Sequence, residues 1–137
     1  MSALRRVLLA SPFLLALSAS PAMADCDQAA SVFFEYKSAE VLTSGGQTLG
    51  VLASRLQARS RVLLRGHVSQ VEAAESELSG LDQSRAANAA STLLAAAGAK
   101  PLTVDSEAAG SSQPYRVEGP DPLFDRRVDV WVCPTGA

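Results

Sequence analysis

The chain has 137 residues and is mildly acidic, with 12 lysines and arginines against 14 aspartates and glutamates and a formal net charge of −2. Its basic residues are scattered and form no stripe with interleaved aromatic residues, which argues against nucleic acid as a partner. A chain of this length predicts one domain with a modest core, because small domains bury a smaller share of their surface.

The first 24 residues have the layout of a secretory signal peptide. Arg5 and Arg6 precede an almost wholly apolar run at residues 7–17, and residues 22–24 (Ala-Met-Ala) supply the small-any-small pattern that a signal peptidase accepts. The apolar run is too short for a membrane anchor, because a spanning helix needs roughly 20 residues. We therefore expect cleavage after residue 24, with no transmembrane segment in the mature chain. Cleavage removes two arginines and no acid, so the net charge falls from −2 to −4.

The two cysteines of the chain, Cys26 and Cys133, lie at opposite ends of the expected mature domain, residues 25–137. An exported protein meets an oxidising compartment, which favours a disulfide between them. Such a bond closes nearly the whole domain into one loop and predicts a stabilisation of about 4 kcal/mol. A lipid anchor on Cys26 is the alternative, but Asp25 is not the small neutral residue that normally precedes a lipidated cysteine.

Four strands and two helices are predicted between the cysteines. Strands are favoured by β-branched and aromatic residues at 32–36 and by apolar residues at 61–66. At residues 128–132 valines alternate with other residues, which also favours a strand. Helical spacing of leucines and alanines favours the helices, the first with a capping box of Ser44 and Gln47, the second with Gly98 as its C-terminal cap. The predicted strands lie at residues 32–36, 61–66, 102–107 and 128–132. The predicted helices lie at residues 46–59 and 82–97, with loops at 67–80, including one helical turn near 73–78, and at 109–125.

The element order is therefore βαβαββ. It predicts an α+β fold in two layers, a sandwich of one sheet packed on two helices.

Four short segments in this order resemble motifs of OmpA-like C-terminal domains, the peptidoglycan-associated family. Residues 32–40 are similar to the aromatic strand and Ser-Ala turn that open such domains, and residues 65–69 resemble their Gly-His-Thr-Asp loop. Residues 81–86 resemble the Leu-Ser-x-x-Arg-Ala start of the second helix, and residues 125–128 the Asn-Arg-Arg-Val before the last strand. The resemblance spans roughly residues 32–132. It implies a mixed four-stranded sheet whose last strand lies antiparallel beside the first, which would bring Cys26 to Cys133.

The resemblance also implies a function: binding of the peptide stem of peptidoglycan without covalent chemistry, in the periplasm or at the outer membrane. A diaminopimelate side chain ends in an ammonium and a carboxylate, which an acid and an arginine held at a fixed distance recognise. Arg85 matches the family's arginine, but Ser69 stands where the family has its aspartate, two residues after His67. A lost charge-assisted bond costs roughly 1.5–3 kcal/mol, and Glu72 or Glu75 is the candidate to replace the acid.

Two functions remain open on the same fold. The first is a domain that binds the stem peptide through Arg85, Ser69, His67 and Glu72, with weakened affinity. The second is a degenerate domain that has lost peptidoglycan and serves as a structural or protein-interaction subunit of a cell-envelope assembly, as the lengthened acidic loop and Leu78 at an expected asparagine suggest. No nucleophile-and-base constellation is recognisable, so no enzyme is predicted. No cofactor or metal is predicted either, since the single histidine has no acids at ligand spacing.

Overall fold

The computed structural model describes residues 25–113 and 122–134, in which four strands, two long helices and three shorter helical segments are present. The strands are β1 (Asp27–Phe33), β2 (Ser60–His67), β3 (Leu102–Gly110) and β4 (Arg127–Cys133). The helices are α1 (Thr43–Arg55), α2 (Gln70–Ala73), α3 (Leu81–Ala97) and α4 (Pro122–Asp125), with a 3-10 helix at Ser76–Leu78 between α2 and α3. The signal peptide expected at residues 1–24 and part of the loop expected at 109–125 lie outside the described residues.

The strands form one mixed sheet in the order β1-β4-β2-β3. β4 pairs antiparallel with both β1 and β2, while β2 and β3 are parallel and are joined by the crossover through α3. One face of this sheet packs on α1 and α3. The predicted two-layer α+β fold, with its mixed four-stranded sheet on two long helices, is confirmed.

The core lies between the sheet and the two long helices. Alternate residues of each strand point to this face, as the period of two in the last strand predicts. The side chains buried there include those of Val62, Leu64, Val128 and Val130 from the sheet and Leu49, Ala53, Ala89 and Leu93 from the helices. The alternate residues of β4, Asp129 and Trp131, therefore lie on the opposite face of the sheet.

The first strand is displaced from its predicted position at residues 32–36. β1 begins at Asp27, because the chain pairs with β4 from Asp27 opposite Val132 onward, and ends at Phe33, opposite Arg127. Residues 34–42 then form a loop that leads from the sheet to the helix layer. The aromatic run therefore supplies the end of the strand and the beginning of this loop.

The first helix is also shifted, and its predicted capping box is wrong. α1 begins at Thr43 with no side-chain cap, so Ser44 lies inside the helix. The helix ends at Arg55 because Leu56 adopts an extended backbone and buries its side chain in the core. Lys100 Nζ donates to the carbonyl oxygens of Ala53 (2.8 Å) and Leu56 (2.7 Å), which satisfies acceptors that the end of a helix leaves unpaired.

The second long helix lies almost where the sequence predicts it. α3 runs from Leu81 to Ala97 and ends at Gly98, whose φ of +61° suits glycine. Gly66 near the end of β2 permits the close approach of this helix, since a Cβ there would lie 1.9 Å from the carbonyl oxygen of Asp82. The end of β2 and the first turn of α3 are therefore held in contact.

Other elements are longer than predicted. β3 continues to Gly110, three residues beyond the expected end, because it stays paired with β2 as far as His67. The loop after β2 contains a full turn of helix at α2 and a 3-10 turn at Ser76–Leu78, where one turn near residues 73–78 is predicted.

The predicted disulfide is present between Cys26 and Cys133, 107 residues apart in sequence. Asp27 and Val132, the neighbours of the two cysteines, are paired residues of β1 and β4. The antiparallel arrangement of the first and last strands thus places the sulfur atoms together, as the resemblance implies.

We expect the variant Cys26→Ser/Cys133→Ser to lose about 4 kcal/mol of unfolding free energy, because the open chain gains conformational entropy when it unfolds. Urea denaturation at neutral pH measures this loss. The reduced wild-type protein is the control and should unfold like the variant. A loss below about 1 kcal/mol would contradict the entropic account.

Candidate functional site

Arg85, in the first turns of α3, is buried with no exposed surface. Its Nε donates to the carbonyl oxygen of Ser38 (2.8 Å), Nη1 to that of His67 (3.0 Å) and Nη2 to that of Glu35 (3.1 Å). Each terminal nitrogen also donates to the carboxylate of Glu72, Nη1 to Oε1 at 2.8 Å and Nη2 to Oε2 at 2.6 Å. A guanidinium has five N–H donors, so all five are satisfied within the chain.

Glu72 is held as tightly as Arg85. Its side chain is buried, and its carboxylate accepts four hydrogen bonds: two from Arg85, one from the backbone N–H of Lys37 to Oε2 (2.8 Å) and one from that of Ser69 to Oε1 (3.1 Å). Burial alone would raise the pKa of Glu72, but the bonds from Arg85 and the two backbone N–H groups outweigh it and lower this pKa below its ordinary value. Glu72 is therefore an ionised partner of Arg85.

The local sequence explains how Glu72 reaches this position. Ser69 is the N-cap of α2: its hydroxyl oxygen accepts from the backbone N–H of Glu72 (3.1 Å), while the Glu72 carboxylate returns to the N–H of Ser69. This reciprocal pair is a capping box, which fixes both the start of the helix and the direction of the glutamate. Ser69 thus orients Glu72 and does not itself contact Arg85 through its side chain.

A second acid of the same loop is anchored at the surface. Glu75 accepts a hydrogen bond from the hydroxyl of Tyr36 and lies 3.2 Å from Lys37 Nζ. The hydrogen bond from Tyr36, followed by that from Lys37, lowers the pKa of Glu75. Lys37 has a left-handed backbone, with φ of +64°, so its N–H points to Glu72 while its side chain reaches Glu75. Two consecutive residues after β1 therefore hold both glutamates.

A cavity of about 470 Å³ opens beside this cluster, between α2, the 3-10 helix, the start of α3 and the end of β3. Glu72, Glu75 and Asp82 are among its lining residues, together with Leu78 and several small ones. Asp82 Oδ2 accepts from the backbone N–H of Gly110 (2.9 Å), which ties the start of α3 to the end of β3. The lining of the cavity therefore carries three carboxylates, two of which already pair with Arg85 and Lys37.

The imidazole of His67 belongs to a different cluster, on the sheet face opposite the helices. His67 Nε2 lies 3.1 Å from Asp129 Oδ2, while Ser31 Oγ (2.7 Å), Gln28 Nε2 (3.1 Å) and Arg127 Nε (3.0 Å) donate to Asp129 Oδ1. Burial raises the pKa of Asp129, but its contacts with His67, Ser31 and Arg127 prevail and lower it to about 2. His67 therefore contributes only its carbonyl oxygen to the Arg85 cluster.

Of the residues that sequence reasoning selects, the structure brings Arg85 and Glu72 into direct contact and places Ser69 beside them. It separates the side chain of His67 from them. Sequence reasoning misses the contribution of residues 35–38, whose backbone groups surround the pair. The Ser-x-x-Glu spacing at residues 69–72 is a capping-box pattern and could have placed the glutamate.

The described residues, 25–113 and 122–134, contain no cluster of three side chains that could hold a metal ion. Within these same ranges no helix is long and apolar enough to cross a membrane.

The sequence matches no protein-family model and no curated protein. Its fold, however, is similar to several solved structures. The peptidoglycan-associated lipoprotein from Burkholderia pseudomallei is 21% identical with a TM-score of 0.61, and the match covers 74% of this chain and 88% of that one. The OmpA-like domain of FopA1 from Francisella tularensis is 17% identical (TM-score 0.58; 77% and 71% covered). The cell wall anchor of the T6SS from Pseudomonas aeruginosa is 22% identical (TM-score 0.54; 73% and 73% covered). The chain thus has the fold of OmpA-like domains, which confirms the resemblance at the level of structure.

We expect Arg85→Met or Glu72→Met alone to lower the free energy of unfolding by about 3–5 kcal/mol, since each leaves an uncompensated buried charge. The double variant should lose clearly less than the sum of the two, because it buries no charge. Urea denaturation of the four proteins gives this double-mutant cycle. Additive losses would show that the two side chains do not form the pair described here.

We expect the wild type to be more stable than Asp129→Asn by about 2 kcal/mol at neutral pH. The folded pKa of Asp129, about 2, is depressed from the ordinary 3.8, so its contribution is complete above about pH 5 and is lost as the pH falls towards 2. Urea denaturation from about pH 6 down to about pH 2.5 should show the difference shrinking. Asp105→Asn, at an exposed acid, is the control, and a difference that does not change with pH would refute the assignment.

Proposed function

We propose that this domain is exported to the cell envelope and there binds, without catalysis, the peptide stem of peptidoglycan. Export is inferred from the signal-peptide layout of residues 1–24. The ordered motifs and the fold shared with a peptidoglycan-associated lipoprotein and a cell wall anchor support the ligand class. Fold alone does not define function, so the proposal depends on the site.

The observation that carries the proposal is the convergence of four N–H donors on one carboxylate. Two belong to Arg85 and two to the backbone of Lys37 and Ser69. We call this arrangement the carboxylate cradle. A bidentate arginine with two backbone donors is a strong receptor for a carboxylate, such as that of diaminopimelate. The acid Asp82 in the adjoining cavity suits the ammonium of the same group.

The affinity is expected to be weak. The cradle already holds Glu72, and Ser69 cannot neutralise an ammonium as the family's aspartate would. The loss of one charge-assisted hydrogen bond reduces affinity by roughly one to two orders of magnitude.

One observation favours a second function, that of a structural or protein-interaction subunit of an envelope assembly. Arg85 is fully buried and all five of its donors are bonded within the chain, so the pair is complete without a ligand. On this hypothesis Arg85 and Glu72 connect the loops after β1 and β2 to α3 and bind no external partner.

Cosedimentation with purified sacculi distinguishes the two functions. The protein is exported and purified in oxidised form from a bacterial periplasm, and is compared with Glu72→Met/Arg85→Met, which removes the cradle without leaving a buried charge. We expect the wild type to pellet with sacculi and the double variant to remain in the supernatant. A wild type that stays in the supernatant, but crosslinks to an envelope protein, would support the second function. Equal pelleting of both proteins would exclude the cradle as the binding site.

A further inference from the structure

We propose that residues 70–75 form a latch that closes the carboxylate cradle, with the Glu72 carboxylate in the place of a ligand carboxylate. A ligand must displace Glu72 before Arg85 can bind it. This inference rests on the proposed peptidoglycan-binding function and describes how the same site is regulated.

The group that fills the cradle has the same chemical identity as the proposed ligand group. Glu72 presents to Arg85 the same bidentate carboxylate that a diaminopimelate side chain would present, at 2.8 and 2.6 Å. The two backbone donors, from Lys37 and Ser69, bind a carboxylate irrespective of the molecule that supplies it. An internal carboxylate in these positions competes directly with an external one.

The latch is held mainly by polar contacts. Among residues 70–75 only Glu72 is buried, while Val71 is 57% exposed and the neighbouring alanines are exposed too. Segments with few buried apolar contacts open locally at lower cost than the core does. The hydrogen bonds of Glu72 therefore account for most of what holds this segment in place.

The latch also has an outer anchor, formed by Glu75 with Tyr36 and Lys37. It is largely exposed, and its ion pair has side chains that are 47% and 24% accessible. Exposed pairs of this kind contribute little to stability and are screened by salt. The outer anchor thus adds a weak second fastening to the same segment without touching Arg85.

Glu72 lies between Arg85 and the adjoining cavity. The same side chain bonds to the guanidinium and lines the cavity of about 470 Å³. Withdrawal of Glu72 would connect this cavity with Arg85. The closed latch and the open site are then two states of residues 70–75. The apparent dissociation constant of the ligand equals its dissociation constant for the open state divided by the fraction of protein that is open.

Isothermal titration with a tripeptide of alanine, glutamate and diaminopimelate tests the latch, using the full exported protein in its oxidised form. Glu75→Gln weakens the outer anchor and leaves the cradle intact, so we expect about two- to fivefold tighter binding. Glu72→Gln weakens the internal competitor and should bind about tenfold tighter or more. Glu40→Gln, at an exposed glutamate of the loop after β1, is the matched control and should bind like the wild type.

The outcomes separate this inference from the proposed function. Tighter binding by both variants, with an unchanged control, supports the latch. Binding by the wild type with weaker binding by Glu72→Gln would show that Glu72 contacts the ligand, which overturns the latch and leaves the proposed function intact. If Glu72→Gln does not fold, an unchanged affinity of Glu75→Gln overturns the latch. If no protein binds the tripeptide, the proposed function fails and the latch fails with it.

Discussion

The buried ion pair of Arg85 and Glu72 is the interaction that holds the loops of this domain together. Two charges can be buried only if their remaining donors and acceptors are also satisfied. The pair therefore needs carbonyl oxygens from the loop after β1 and from the end of β2, and N–H groups from residues 37 and 69. Because of this requirement, one arginine fixes the relative positions of four chain segments. Gly66 makes the arrangement possible, since its missing Cβ allows β2 to meet α3.

The pair also explains why one fold is compatible with two functions. An arginine that binds a ligand carboxylate needs N–H donors that are not bonded within the chain. Here Glu72 of the same chain provides the carboxylate. If the proposed latch operates, the energetic difference between a binding site and a structural ion pair lies in how readily α2 leaves the cradle, and not in which residues are present. The similar solved structures, about 20% identical, share the fold with this chain. Fold alone does not define function, and the pairing of Arg85 depends on Glu72 in the loop after β2 of this chain.

Much of the fold follows from local sequence patterns. The periodicity of apolar residues predicts the long helices and the last strand, and a glycine predicts the cap at Gly98. The oxidising compartment and the order of the strands predict the disulfide. The start of β1 could not be predicted, because pairing with β4 draws polar residues such as Asp27 and Gln28 into the strand. At the site, Arg85 was accessible from sequence, and so was Glu72 as one of two candidate acids. That Glu72 would be buried against Arg85 was not accessible, because its burial depends on the backbone N–H of Lys37, 35 residues away.

The central claim is that Glu72 is a buried, ionised partner of Arg85. The most direct test is an NMR pH titration that follows the carboxyl-carbon signal of each glutamate side chain separately. If the Glu72 carboxylate is held by Arg85 and two backbone N–H groups, its pKa lies below the ordinary glutamate value of 4.5, and its signal should change at lower pH than that value. A Glu72 signal that changes around the ordinary glutamate pKa of 4.5 or above it would show a free carboxylate. That result would contradict both the buried pair and the closed state of the site.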